Sequence, residues 1–93
     1  MSIDGTLDLH AFAPRDIKEL VPDYLKECLR NNIHEVRIVH GKGKGVLRRI
    51  VHSALDRLDY VVSYQTAGHG RGSWGATVVQ LKPVAPPQTS NDK

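Results

Sequence analysis

Apolar positions along this chain alternate between a strand-like period of two and a helix-like period of three to four. Leu7-Asp8-Leu9-His10 alternates apolar and polar and reads as a half-buried strand. Leu7 and Leu9 would face the core, and Asp8 and His10 would emerge together on the other face. Ile17, Leu20, Val21, Tyr24, Leu25 and Cys28 then recur at helical spacing, one apolar stripe over roughly Pro14 to Arg30. Pro14 suits the first helical turn. Pro22 interrupts the stripe at a cost of about 3 kcal/mol, which predicts a kinked helix or two short collinear ones. Asn31-Asn32 ends it, since Asn tolerates the left-handed conformation.

Glu35 to Val39 is short, β-branched and strand-like. From Val46 a second helix puts Leu47, Ile50, Val51, Ala54, Leu55 and Leu58 on one face, with Arg48, Arg49, His52 and Arg57 toward solvent. Val61 to Gln65 and Ala76 to Leu81 are two more strands, and the glycine-rich stretch between them predicts antiparallel neighbours. The order is β-α-β-α-β-β. Right-handed crossovers make the first three strands largely parallel. The expected fold is a two-layer α/β sandwich, a four-stranded mixed sheet with two helices on one face. Residues 1–82 would form this domain. The polar, proline-rich stretch 83–93 has no core pattern and is expected to be disordered.

Length and composition narrow the setting. Ninety-three residues with 40% hydrophobic content suit one small domain. No apolar run is long enough to span a membrane, and no secretory signal pattern opens the chain. The single cysteine, Cys28, lies on the buried stripe as a core thiol and excludes a disulfide framework. A cytoplasmic location is the simplest expectation. The formal charge is only +3, but it is unevenly spread. Residues 4–35 hold Asp4, Asp8, Asp16, Glu19, Asp23, Glu27 and Glu35, whereas residues 36–75 hold Arg37, Lys42, Lys44, Arg48, Arg49, Arg57 and Arg71 against Asp56 and Asp59. A basic half suits a polyanionic partner as well as a merely solvated face. With Phe12, Tyr24, Tyr60, Tyr64 and Trp74 the only aromatics, an extended base-stacking platform is not expected.

The candidate chemistry converges on two stretches. His40-Gly41-Lys42-Gly43-Lys44-Gly45 is a glycine-rich turn between a strand and a helix, which offers backbone N–H groups and cations to a phosphate. It is not a nucleotide-binding P-loop, because Val46 follows where that motif needs Ser or Thr after Gly-Lys. His10 and His40 close two strands that are expected to be parallel, so Asp8, His10, His40 and Lys42 would share one end of the sheet. A histidine can move protons at a phosphodiester, a neighbouring carboxylate can orient it, and lysines can hold the developing charge. His34 and His52 look isolated and solvent-exposed. Asp8 and His10 could supply two metal ligands but lack a spaced third, so no cofactor is expected, and a divalent metal is the alternative that the spacing does not support. In Arg71-Gly72-Ser73-Trp74-Gly75, the glycines permit close backbone approach, and Trp74 suits either stacking on a base or packing over the core edge.

Three blocks together resemble the Smr, or small MutS-related, domain: Leu7-Asp8-Leu9-His10; His40-Gly41-Lys42-Gly43 with Gly45-Val46-Leu47-Arg48; and Gly72-Ser73-Trp74-Gly75-Ala76-Thr77-Val78-Val79. They stand in the family's order and spacing over about residues 6–82, and the chain looks like a free-standing bacterial member. The resemblance implies a sandwich similar to the C-terminal domain of bacterial translation initiation factor three. It also implies nucleic-acid binding, often with endonuclease activity on DNA or on mRNA at stalled ribosomes. It carries catalysis onto Asp8 and His10, and a nucleic-acid-facing loop onto His40 to Gly43. Two positions depart from the pattern. Ala11 stands where the family usually has Gly, and Ser73 replaces the second of a glycine pair.

The expected function is therefore phosphodiester cleavage, with RNA slightly preferred over DNA. His10 would move the proton, Asp8 would orient it, and His40 would act with Lys42 on the scissile phosphate. Gly43, Lys44, Gly45, Arg48, Arg49, Arg71, Ser73 and Trp74 would complete the nucleic-acid contacts. A non-catalytic adaptor docking on nucleic acid or the ribosome is the alternative. Oligomeric state is open.

Overall fold

The computed structural model describes residues 3–41, 45–66 and 75–83. Six elements follow in the expected order: β1 (Thr6–Asp8), α1 (Pro14–Arg30), β2 (Glu35–Val39), α2 (Val46–Asp56), β3 (Val61–Thr66) and β4 (Ala76–Leu81). The sheet order is β1-β2-β4-β3. β1 pairs parallel with β2, and β4 runs antiparallel to both of its neighbours, β2 and β3. β3 therefore runs in the direction of β1 and β2 but is separated from β2 by β4. The hairpin expected between β3 and β4 is present, with a bulge between Val61 and Ser63.

α1 is one continuous helix across Pro22. Ile17, Val21, Tyr24, Leu25 and Cys28 are all buried along one side of it. Burying a large aliphatic side chain contributes about 1.5–3 kcal/mol, so these five outweigh the proline's missing donor. Asn32, at φ 63, makes the left-handed turn that ends the helix, and the Ile33 N–H returns to the Cys28 carbonyl at 2.8 Å. Cys28 is fully buried, and burial raises its pKa, so it stays a protonated core thiol.

The core lies between the sheet and the two helices. Leu7 from β1, Val36 and Ile38 from β2, and Val79 and Leu81 from β4 meet Ile17, Val21 and Leu25 from α1 and Val51 and Leu55 from α2. The opposite sheet face carries Thr6, Asp8, Glu35, Arg37 and Gln80, all exposed. β2 is the central strand of the packing, since Val36 and Ile38 have no exposed surface. Ile38→Ala should destabilise the fold by about 2–5 kcal/mol. Urea denaturation should then show a lower midpoint with an unchanged slope.

Candidate nucleic-acid interface

Asp8 and His10 meet through a turn rather than through strand alternation. β1 ends at Asp8, two residues short of the strand expected from the sequence. The Asp8 carboxylate accepts the His10 backbone N–H at 3.0 Å, a local turn that Asp favours two residues ahead of such a donor. The same carboxylate oxygen lies 2.9 Å from His10 Nδ1. Both His10 bonds hold the Asp8 carboxyl below its usual pKa, the backbone N–H contributing more than the imidazole. A carboxylate only accepts, so Nδ1 carries the hydrogen and the neutral ring leaves Nε2 as an acceptor. The two side chains are 84% and 55% exposed for His10 and Asp8, which leaves that nitrogen within reach of a ligand.

The neighbouring strand ends at the same level. Asp8 is in register with Val39, and the Leu9 N–H donates to the Val39 carbonyl at 2.9 Å. Beyond Val39, the N–H groups of His40 and Gly41 both donate to the Gly75 carbonyl, at 2.7 and 2.8 Å. Thr66, the last residue of β3, is in register with Thr77 near the start of β4. The described residues flanking both glycine-rich stretches, Gly41 and Gly45 for one and Thr66 and Gly75 for the other, are therefore anchored at this end of the sheet or lead into α2. Lys42, Gly43, Lys44, Arg71, Ser73 and Trp74 lie outside the described residues.

α2 begins without a side-chain cap. Gly45 takes the cap position at φ 83, and no acidic residue sits in the first turn. A β-carbon at Gly45 would be strained by that φ and would lie 3.1 Å from an Arg48 guanidinium nitrogen. The first N–H groups of α2 thus have no side-chain cap and stand beside a cation, the electrostatic setting of an anion site. Among the described residues neither Arg48 nor Arg49 is ion-paired, and both are exposed. Arg49 faces elsewhere. It lines a groove of about 530 Å³ between the helices, with Lys18, Pro22, Val46, Ile50 and Leu58. Ala11 is exposed with a negative φ, so replacing the family's usual glycine imposes no backbone strain.

His40 shares this end of the sheet, but its ring is turned toward the helix layer. It is 6% exposed. Nε2 lies 2.8 Å from the Thr77 hydroxyl, and Nδ1 lies 3.1 Å from the Gly41 carbonyl. Both ring nitrogens are thus engaged inside the protein, which departs from the expected phosphate contact. His52 also departs from expectation. It is half-buried rather than solvent-exposed, its Nε2 lies 2.9 Å from the same Thr77 hydroxyl, and its ring packs on Tyr64 with centroids 4.7 Å apart. A threonine on the buried face of β4 is the sequence signal for this cluster, because a buried hydroxyl demands partners.

The family model for the Smr domain matches residues 7–82, and the chain belongs to that family. Endonuclease MutS2 of Clostridium botulinum (strain Eklund 17B / Type B) is 38% identical over 80 residues, covering 86% of this chain and 10% of that protein. Endonuclease MutS2 of Brevibacillus brevis (strain 47 / JCM 6285 / NBRC 100599) is 38% identical over 81 residues, covering 87% and 10%. The chain spans about a tenth of the length of these curated relatives. The crystal structure of the Smr domain of Thermus thermophilus MutS2 superposes with a TM-score of 0.78 at 34% identity, covering 86% of this chain and 100% of that one. YdaL, a stand-alone small MutS-related protein from Escherichia coli, gives 0.75 at 27% identity, covering 84% and 64%. Among the described residues, no helix is long and apolar enough to cross a membrane, and no group of three His, Cys, Asp or Glu could hold a metal ion.

Burial lowers the pKa of His40 and of His52; at His52 the neighbouring His40 and Arg48 add to the effect. A His lowered below its ordinary value of 6.5 is neutral in the folded protein, while the unfolded chain binds protons first as pH falls. Stability is therefore full above about pH 6.5 and declines as pH drops toward the folded pKa values. Thermal unfolding should occur at lower temperature at about pH 5 than at about pH 7.5, with a smaller drop in His52→Gln. A flat profile between those pH values would contradict the burial of two neutral imidazoles.

Proposed function

We propose that this Smr domain binds a nucleic-acid backbone at the end of β1 and β2 and cleaves a phosphodiester there. The observation that carries the reading is the exposed Asp8–His10 contact at 2.9 Å, beside the strand end that leads to the uncapped N-terminus of α2. With Nδ1 held by Asp8, His10 Nε2 takes a proton from the attacking hydroxyl as general base. A ribose 2′-hydroxyl supplies that nucleophile within the substrate itself, so RNA is favoured: the 2′ oxygen bonds to phosphorus as the P–O5′ bond breaks, and the 5′ oxygen leaves with a proton from water; DNA nicking would need an added water as nucleophile. The helix N–H groups and Arg48, with Lys42, Gly43, Lys44 and Gly45, hold the phosphate as its charge grows. Arg49, Arg71, Ser73 and Trp74 extend the grip along the strand. His40 contributes from behind this surface rather than on the substrate.

The MutS2 relatives are named as endonucleases, which supports the reaction class. An mRNA on a stalled ribosome is the RNA substrate we favour, which places the protein in the cytoplasm. Cleavage of a short single-stranded RNA, of a structured RNA and of supercoiled DNA, each with and without EDTA, tests the proposal. His10→Ala should lower the rate about a hundredfold to ten-thousandfold, and Asp8→Ala by less. Both substitutions are at exposed positions and should change stability by under about 0.5 kcal/mol. Product formation at the wild-type rate in His10→Ala would sink the catalytic assignment. Salt-sensitive binding without any turnover would instead identify the domain as a nucleic-acid- or ribosome-docking adaptor.

A further inference from the structure

Thr77 is fully buried on the helix-facing side of β4, in line with Val79 and Leu81. Its hydroxyl has two imidazole partners, His40 Nε2 at 2.8 Å and His52 Nε2 at 2.9 Å. Counting hydrogens orders the three groups. His40 Nδ1 lies 3.1 Å from the Gly41 carbonyl, which can only accept, so Nδ1 carries the ring's hydrogen. The neutral ring then has a bare Nε2, which accepts the Thr77 hydroxyl hydrogen. With that hydrogen committed, Thr77 Oγ1 faces His52 as an acceptor, and His52 Nε2 donates to it. With both rings neutral, one proton arrangement satisfies every bond: His52 donates to Thr77, Thr77 to His40, and His40 to Gly41.

The last acceptor is the residue at which the chain leaves β2 for the lysine-bearing stretch. Gly41 has φ +83 and, among the described residues, nothing within 4 Å of where a β-carbon would sit, so the backbone conformation is what favours glycine there. Its N–H is held by the Gly75 carbonyl at 2.8 Å and its carbonyl by His40. We infer that Thr77, backed by His52, is a positioning residue: its hydroxyl orients the Nδ1–H ring of His40 so that the ring fixes the Gly41 peptide, where the chain enters the stretch proposed to bind phosphate. This rests on the proposed function only for what the turn binds.

The surroundings keep the relay neutral. His52 packs at a tilt against Tyr64, whose hydroxyl donates to Asp56 at 2.5 Å. Arg48, beside both imidazoles, opposes their protonation, and only Asp56 favours it at His52. A proton added at His40 Nε2 turns that nitrogen into a donor, so the Thr77 hydroxyl must accept from it and His52 must switch to its Nδ1–H form to accept the hydroxyl hydrogen. The protein thus loses the arrangement in acid, in the same pH range in which its imidazoles charge.

Nitrogen-15 NMR of the histidine rings in the full chain, with a short RNA oligonucleotide as the binding probe, tests the inference. Wild type should show His40 as the Nδ1–H tautomer and His52 as the Nε2–H tautomer. Thr77→Ser keeps the hydroxyl and should preserve both tautomers and the RNA affinity. Thr77→Val removes the hydroxyl, so His52 should relax to a tautomer mixture, the His40 Nε2 resonance should shift as its hydrogen bond is lost, and affinity should fall about fivefold, the worth of one hydrogen bond. A wild-type His40 in the Nε2–H form overturns the inference, and so does a Thr77→Val protein whose ring resonances and affinity are unchanged. Failure of wild type to bind RNA would overturn the proposed function alone, because the tautomers still decide the relay.

Discussion

The Gly75 carbonyl, accepting two successive N–H groups from His40 and Gly41, is the contact on which the functional end of this domain depends. It ties the exit of β2 to the entrance of β4. Because β4 is antiparallel to β2 and β1 is parallel to it, that single knot brings the ends of β1 and β2 to the same level as the start of β4. A chain that inserts its last strand between β2 and β3 also has to carry the connection before it back to this level. Both glycine-rich stretches of the sequence are joined to the fold there.

From that knot the two faces of the sheet take different work. On one side the Asx turn at Asp8 swings His10 outward, exposed and with its acceptor nitrogen free of the carboxylate. On the other, His40 turns inward against α2 and spends both nitrogens on the protein's own groups. Exposure suits a group that must meet a substrate, and burial suits one that must hold a peptide still. Two histidines that close adjacent parallel strands thus divide into a group that reaches outward and a group that steadies. The remainder of the core, from Ile17 to Leu55, presses α1 and α2 onto the sheet and keeps that division in place.

Much of this was legible in the residues. The apolar stripe across Pro22, the left-handed Asn at the end of α1, the β-branched run Glu35–Val39 and the glycine-separated pair of final strands all read out directly, because each follows from local periodicity or turn chemistry. The placement of β4 between β2 and β3 did not, since strand order is set by long-range pairing that no local pattern encodes. Strand parity put Asp8 and His10 together for an incomplete reason: the strand stops at Asp8, and a side-chain-to-backbone bond makes the contact. His52 was misread because its position on the polar flank of α2 says nothing of the threonine that waits across from it on β4. The family resemblance pointed to these stretches as candidates, but not to which way the rings of His40 and His52 turn.

The account stands or falls on where a phosphate sits. Backbone amide NMR shifts of the full chain, followed while a short single-stranded RNA is added, measure that directly. The largest changes should fall at Asp8 to Ala11, at Gly41 and at Gly45 to Arg48, and should fade as salt is raised. Changes centred instead on the groove between the helices, around Pro22, Ile50 and Leu58, would contradict it.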